Sequence, residues 1–181
     1  RRVLFRSPID SIDVTFTTVM PSLTHDFGSE TTFDGQQIRF TGPVARTHPA
    51  MGVFTLADCA VRAADGLIVC AGNRWVWPTS WFSEKPEDIR HTSRAFRTAS
   101  WSSRRVKGRV LTLATEYAQR NYGHFLLDSL GRLAILEAAR IDPTSFDAII
   151  VNGPDTAWKR RLLARFGLPL SGIVWTDGAD I

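Results

Sequence analysis

Four polar side chains recur at helical spacing within one short stretch: Asn121, His124, Asp128 and Arg132. At 3.6 residues per turn they share an arc of roughly 80° on one side of a helix. Side chains four apart on a helix are neighbours, so an imidazole, a carboxylate and a guanidinium can meet in succession. Such a set can move a proton. The Asp128 carboxylate can hold His124 in one tautomer, which suits the imidazole to general-base work. Arg132 can keep Asp128 ionised or bind an anion itself. The same spacing also describes the wet face of an ordinary amphipathic helix, so these residues alone leave both readings open.

The elements around them are predicted by periodicity. Phe125, Leu126, Leu130, Leu133, Ala134 and Leu136 fit one apolar helical face. Asn121 suits an N-cap, and the helix is expected to run to about Arg140, where Asp142-Pro143 interrupts it. Gly131 costs about 1 kcal/mol inside a helix relative to Ala, which predicts a close approach to the backbone there. Val110-Leu111-Thr112-Leu113 reads as a buried strand before this helix. Phe146-Asp147-Ala148-Ile149-Ile150-Val151 reads as a second strand, followed by an Asn152-Gly153-Pro154 turn. Asp155 is placed to cap a helix through Trp158, Leu162, Leu163 and Phe166 that ends at Gly167, and Ile173-Val174-Trp175 reads as a third strand. Strand–helix–strand–helix–strand with short loops implies a parallel sheet with right-handed crossovers. Ligands of such sheets bind beyond the carboxyl ends of the strands, which is where the start of the His124 helix should lie.

Upstream the signals are weaker. Val14 to Val19 and Gln37 to Phe40 read as strands, and Pro21 to Asp34 between them reads as polar loop. His25 and His48 read as surface histidines. Val53 to Leu56, Ala60 to Arg62 and Leu67 to Val69 form short β-type runs around an Asp65-Gly66 turn, as in a β-meander. Cys59 and Cys70 flank that turn; two buried thiols are expected in preference to a cross-strand disulfide. Trp75, Trp77 and Trp81 sit in a Pro-broken segment, where they can stack on a sugar or simply cover a sheet edge. Residues 84–107 form a hydrophilic connector that turns basic towards its end, suited to a loop over a site or to a solvated linker.

Composition excludes more than it selects. With 181 residues, 44% hydrophobic and 22% charged, the chain is of ordinary globular type and one-domain length. It has no apolar run of ~18 residues, the length a membrane span needs, and no visible secretory signal. Residues 1–7, Arg-Arg-Val-Leu-Phe-Arg-Ser, read as translated sequencing adapter, which predicts a fragment. Without Arg1, Arg2 and Arg6 the 22 cations become 19 against 18 acids, so the net charge falls from +4 to +1. The basicity that would suggest a nucleic-acid partner then disappears. Dinucleotide fingerprints, P-loops, nucleophile elbows and zincin helices are absent from the sequence.

The words of the central stretch carry a resemblance. Asn-Tyr-x-His-Phe-x-x-Asp-x-x-x-Arg-Leu resembles the hallmark segment of glycosyltransferase family 61, usually Asn-Tyr-Tyr-His-Trp-Leu-Leu-Asp-x-Leu-Pro-Arg-Leu in bacterial members. The match holds at Asn121, Tyr122, His124, Leu126, Leu127, Asp128, Leu130, Arg132 and Leu133, and departs at Gly123, Phe125 and Gly131. The likeness covers roughly residues 52–175 and is strongest over 111–175. The resemblance implies inverting transfer of a sugar from a nucleotide-sugar donor to a glycan acceptor, of the capsule or lipopolysaccharide kind. It also implies a GT-B fold, of which this chain would be the N-terminal half without the donor-binding half. His124 is the expected base, oriented by Asp128, with Asp128 itself the second choice. Asn121, Tyr122, Arg132, Trp75 and Trp77 are the expected substrate contacts.

The sequence therefore predicts an α/β protein: adapter over residues 1–7, a β-rich meander with basic connector over 8–108, and a Rossmann-like βαβαβ unit over 109–181. The nucleotide-sugar is substrate, and no cofactor is expected. The lack of an Asp-x-Asp motif favours metal-independent transfer without fixing the metal requirement. The expected location is cytoplasmic, with peripheral attachment to the inner membrane as an option. The alternative function is a non-catalytic carbohydrate-binding or structural α/β module that uses the tryptophans.

Overall fold

A computed structural model describes residues 14–26, 30–33, 36–39, 45–48, 50–61, 66, 68–70, 74–75, 105–115 and 117–176. The predicted α/β character holds: a three-stranded parallel sheet with helices follows a set of antiparallel strands. Residues 1–7, Trp77, Trp81 and most of the basic connector lie outside the described residues.

The antiparallel part differs from its expectation. Strands β1 (Val14–Met20), β2 (Leu23–Asp26), β3 (Glu30–Phe33), β4 (Gln36–Arg39), β5 (Ala45–His48) and β6 (Met51–Leu56) pair in nested fashion. Thus β1 pairs with β6, β2 with β5 and β3 with β4, in the order of one long hairpin. The stretch expected as loop between Pro21 and Asp34 contains two of these strands. Neither Leu-Thr-His-Asp nor Glu-Thr-Thr-Phe has an alternating apolar pattern, so their backbone pairing with β5 and β4 identifies them. His25 and His48 stand in β2 and β5.

Two of the three runs of the predicted meander pair with each other, while the first, Val53 to Leu56, belongs to β6 and pairs with β1 instead. Strands β7 (Ala60–Val61), β8 (Ile68–Cys70) and β9 (Arg74–Trp75) form an antiparallel sheet in sequence order. Ala60 opposes Val69 and Val61 opposes Ile68, a register that, continued by one residue, would set Cys59 across from Cys70 rather than diagonally. Cys59 is disulfide-bonded, which corrects the expectation of free thiols; Cys70 is the only other cysteine in the chain. Directly opposed strand residues have the Cα separation that a disulfide requires. Gly66 adopts φ +72°, and a side chain there would collide with the Ala114 carbonyl. Gly66 thus rests against the start of the loop that leads to the His124 helix.

Strands β10 (Val110–Thr112), β11 (Ala148–Asn152) and β12 (Ile173–Thr176) make the parallel sheet, with β11 central. Each agrees with its predicted run to within two residues. The helix from Asn121 is in three parts: α1 (Tyr122–His124), a π-helical turn (Phe125–Ser129) and α2 (Gly131–Ala138). Uniform 3.6-residue periodicity misses that turn, in which the Leu130 N–H reaches back five residues to the Phe125 carbonyl at 3.0 Å. The wider turn puts Phe125, Ser129 and Leu130 together against the sheet, all buried. Ala134, expected on the apolar face, is exposed. The helix stops slightly before Arg140, which takes a left-handed φ of 57°. The Ile141 and Arg140 N–H groups then bond the Leu136 and Glu137 carbonyls, closing the end in a Schellman motif.

Helix α3 (Ala157–Arg165) follows β11. Thr156, not Asp155, occupies its N-cap, without a side-chain capping bond. Asp155 instead pairs with Arg160 through two guanidinium bonds, and that partner holds its carboxyl below the usual range. The core joins both helices to the sheet through Leu113, Phe125, Leu130, Leu133, Leu136, Ile149, Val151 and Leu163. Val53 of β6 packs on the same core, tying the antiparallel part to it. The Phe125 ring meets Trp158 edge-on at 5.2 Å, which locks the start of the first helix onto α3.

Candidate functional site

Asn121 begins the site. Its backbone is extended and its side-chain oxygen accepts the His124 N–H at 3.2 Å, as the N-cap prediction requires. One turn on, His124 Nδ1 and Asp128 Oδ2 lie 2.7 Å apart. Both side chains are partly open to solvent, at 44% and 43% exposure. The π-helical turn lies between them and carries Asp128. A widened turn of this kind costs regularity and is often found where a helix serves a site. Since Nδ1 faces the carboxylate, Nε2 is the ring nitrogen left on the other side of the imidazole. A neutral histidine so held donates from Nδ1 and accepts at Nε2.

Arg132 takes a different place from the one predicted. It does not pair with Asp128 among the described residues; its Nη1 donates to the Thr112 carbonyl at 3.1 Å, at the carboxyl end of β10. Burial lowers the guanidinium pKa, and the nearby Asp128 charge opposes that shift. Arg132 therefore fixes the helix to the strand edge. Tyr122 also points elsewhere. It is 55% exposed and stacks on Trp158 at 5.4 Å, on the α3 side of the helix. Trp75 has its backbone in β9, opposite Val69, and Trp77 lies outside the described residues. The structure thus unites Asn121, His124 and Asp128, sets Arg132 behind them, and separates Tyr122.

A second set of residues has no forewarning in helical spacing. Asn152, buried at the carboxyl end of β11, accepts the Thr115 N–H and donates to the Thr115 carbonyl. Its side chain pairs as a peptide group would, extending the sheet's bonding into the β10–α1 loop. Lys159 is fully buried, and its Nζ donates to the carbonyls of Gln119 at 2.7 Å and Asn152 at 2.8 Å. Burial pushes its amine down to about 8. Gly153, at φ +82°, lies so close under the Gln119 backbone that a side chain would collide with it. Between these two anchors sits Tyr117, 44% exposed, its ring 5.1 Å from the His124 imidazole. An aromatic in a strand-to-helix loop at the carboxyl edge was the available signal for Tyr117; buried Lys and Asn give none.

Taken together the site is an imidazole–carboxylate pair with one capped helix start, a loop bonded at Thr115 and Gln119, and an aromatic neighbour. It can accept a proton from a hydroxyl brought to Nε2. Among the described residues no group of three or more His, Cys, Asp or Glu side chains could hold a metal ion, and no helix is long and apolar enough to cross a membrane. Comparison with known proteins finds no matching family model, curated protein or solved structure.

Proposed function

We propose that the protein is an inverting glycosyltransferase, with His124 as the base that deprotonates an acceptor hydroxyl. The observation that carries this reading is the 2.7 Å His124–Asp128 contact on a π-helical turn. It follows the first strand of a parallel sheet, beside its carboxyl end. The resemblance to family 61 at Asn121, Tyr122, His124, Asp128 and Arg132 supports the same residues. In the proposed step Nε2 takes the proton of the acceptor hydroxyl as its oxygen bonds to the anomeric carbon. The bond from that carbon to the nucleoside diphosphate breaks, and the electron pair leaves on phosphate. Asp128 balances the imidazolium that forms. The second choice of base, Asp128 itself, requires the proton to reach a carboxylate already engaged by His124.

The parallel sheet with its helices would be a Rossmann-like half of a GT-B fold, and the donor would sit largely on the other half. The nucleotide-sugar and the glycan acceptor are substrates, with no cofactor. The disulfide at Cys59 favours an oxidising compartment over the cytoplasmic location expected from sequence; ready labelling of both thiols in freshly released protein would return it to the cytosol.

Transfer is tested on the full-length protein with a panel of nucleotide-sugars, reading nucleoside diphosphate release that depends on acceptor. His124→Gln should lower kcat by about 10²- to 10⁴-fold, with donor binding retained. An unchanged rate in that variant would end the assignment. A non-catalytic glycan-binding module is the competing reading, favoured by exposed Tyr122 on Trp158. It predicts glycan binding by this chain alone, unaffected by His124→Gln and lost in Tyr122→Ala.

A further inference from the structure

We propose that Tyr117 is a positioning residue for His124, holding the imidazole in the orientation that engages Asp128 and presents Nε2. This rests on the reading of His124 as proton acceptor. Neither the helical spacing nor the family-like words include Tyr117; it belongs to the loop between β10 and α1.

The inference starts from the exposure of His124. A histidine on an open helix face samples several staggered χ1 and χ2 states, and only some bring Nδ1 to a carboxylate four residues on. One hydrogen bond to an exposed carboxylate restrains such a ring weakly, because water competes for both partners. The second restraint comes from a different element. The Tyr117 ring lies 5.1 Å from the imidazole at an interplanar angle of 41°, within the range of a favourable aromatic pair. Asp128 thus holds the ring at its Nδ1 edge while Tyr117 packs beside it.

A side chain can position another only if its own backbone is fixed. Two residues before Tyr117, Thr115 is bonded at both its N–H and its carbonyl by buried Asn152. Two residues after it, the Gln119 carbonyl accepts from buried Lys159. Ala118, between them, is fully buried in the core. The same lysine bonds the Asn152 carbonyl, so one amine ties both anchors of the loop to the end of β11. A buried polar set with its partners in place rigidifies the elements it joins. Its consequence is a rigid aromatic beside His124.

The test uses the chain with ¹⁵N-labelled histidine, reading the imidazole nitrogens of His124 at pH 9 by long-range ¹H–¹⁵N correlation, with His124→Gln to assign the signal. Wild type should show mainly the Nδ1–H tautomer. Tyr117→Phe keeps the ring and should look the same. Tyr117→Leu should lower the ratio of carboxylate-engaged to free imidazole by about 2- to 10-fold, seen as a shift of both nitrogens towards averaged values. Backbone amide spectra of β11 and α3 report whether each variant is folded. The proposal is overturned if Tyr117→Leu leaves both nitrogen shifts at their wild-type values, or if Tyr117→Phe moves them as far as Leu does. The two readings separate cleanly. If Tyr117→Leu frees the imidazole but His124→Gln transfers sugar normally, the positioning stands and the transferase fails. If His124→Gln abolishes transfer while Tyr117→Leu changes nothing at the ring, the reverse holds.

Discussion

The nested ribbon of β1–β6 and the parallel unit of β10–β12 are both β-rich, yet they are held by different forces. In the parallel unit Ile149, Val151, Phe125, Leu130 and Leu163 are almost wholly shielded from water. In the ribbon Thr15, Phe16, Thr17 and Thr18 are all exposed, odd and even positions alike. Its clearest side-chain contact is Phe16 on Phe54, with ring centroids 4.5 Å apart. A two-stranded ribbon is marginal by itself, so this one depends on the attachments its β6 strand makes through Val53 to the main core and through Phe54 and Leu56 to Ile68. The candidate site belongs to the other kind of structure. Precise placement of His124 and Asp128 requires an element whose neighbours are fixed by burial, and the parallel unit supplies it.

The sharpest way to break this contrast is to truncate one aromatic in each region. Phe125→Ala removes a ring with no exposure that packs on Trp158 and the sheet. It should cost about 3–5 kcal/mol of unfolding free energy. Phe16→Ala removes a ring that is 38% exposed and should cost under about 1.5 kcal/mol. Urea denaturation of both variants measures the difference. Equal losses would mean that the ribbon is part of one cooperative core and that the division drawn here is wrong.

Burial explains how much of each region was legible in the sequence. Ile149-Ile150-Val151 announces the buried central strand, because strands covered on both faces are written as continuous apolar runs, and Ile173-Val174-Trp175 is written the same way though it is only partly buried at the sheet edge. The Asn121 cap and the His124–Asp128 pair follow from spacing within one helix, where neighbours are fixed by geometry. The ribbon strands β2 and β3 escape because their partners, not their own side chains, define them; Leu23-Thr24-His25-Asp26 has no apolar face to read. The Asp34-Gly35 pair was the missed clue, a two-residue hairpin signal lying between the Phe33↔Gln36 partners. Arg132 and Tyr117 escape for a third reason. Their partners, Thr112 and His124, lie on other elements, and one sequence gives no distance between elements.

Lys159 gives a milder test of the same contrast, since it is the parallel unit's one buried ammonium among the described residues. Lys159→Met keeps the length of the side chain and removes the bonds to Gln119 and Asn152. One part-buried and one buried carbonyl then lose a donor, at a cost of about 1–3 kcal/mol, which relief of the buried charge offsets below about pH 8. The lysine also carries a pH signature. Its folded pKa of about 8 lies below the value of the unfolded chain, so between those two values the unfolded state binds more protons. Stability should therefore rise with pH from about 8 towards 10.4, and the burial penalty should be present in full below 8. Denaturation midpoints of wild type and Lys159→Met, compared across this range, isolate the contribution: the upward slope should weaken in the variant. A slope identical in both proteins would assign the titration to another group.

The smallest effect concerns a face of the parallel unit that no described residue covers. Gly131 was expected to admit a close neighbour, yet among the described residues no atom beyond its chain neighbours and its own helix backbone lies within 4 Å of where its side chain would begin. It lines an apolar groove of about 560 Å³ with Leu126, Leu130, Ala134, Ile141 and Phe166. Its φ is not left-handed, so alanine fits the backbone as it stands. Gly131→Ala should then stabilise the protein by about 0.5–1 kcal/mol through the reduced freedom of the unfolded chain. Thermal melting resolves a change of that size. A loss of stability instead would mean that the groove closes on the helix in solution and that the glycine answers to a neighbour after all. The gain would make the first turn of α2 an ordinary open helix, and leave the π-helical turn before it as the element that sets the geometry of His124 and Asp128.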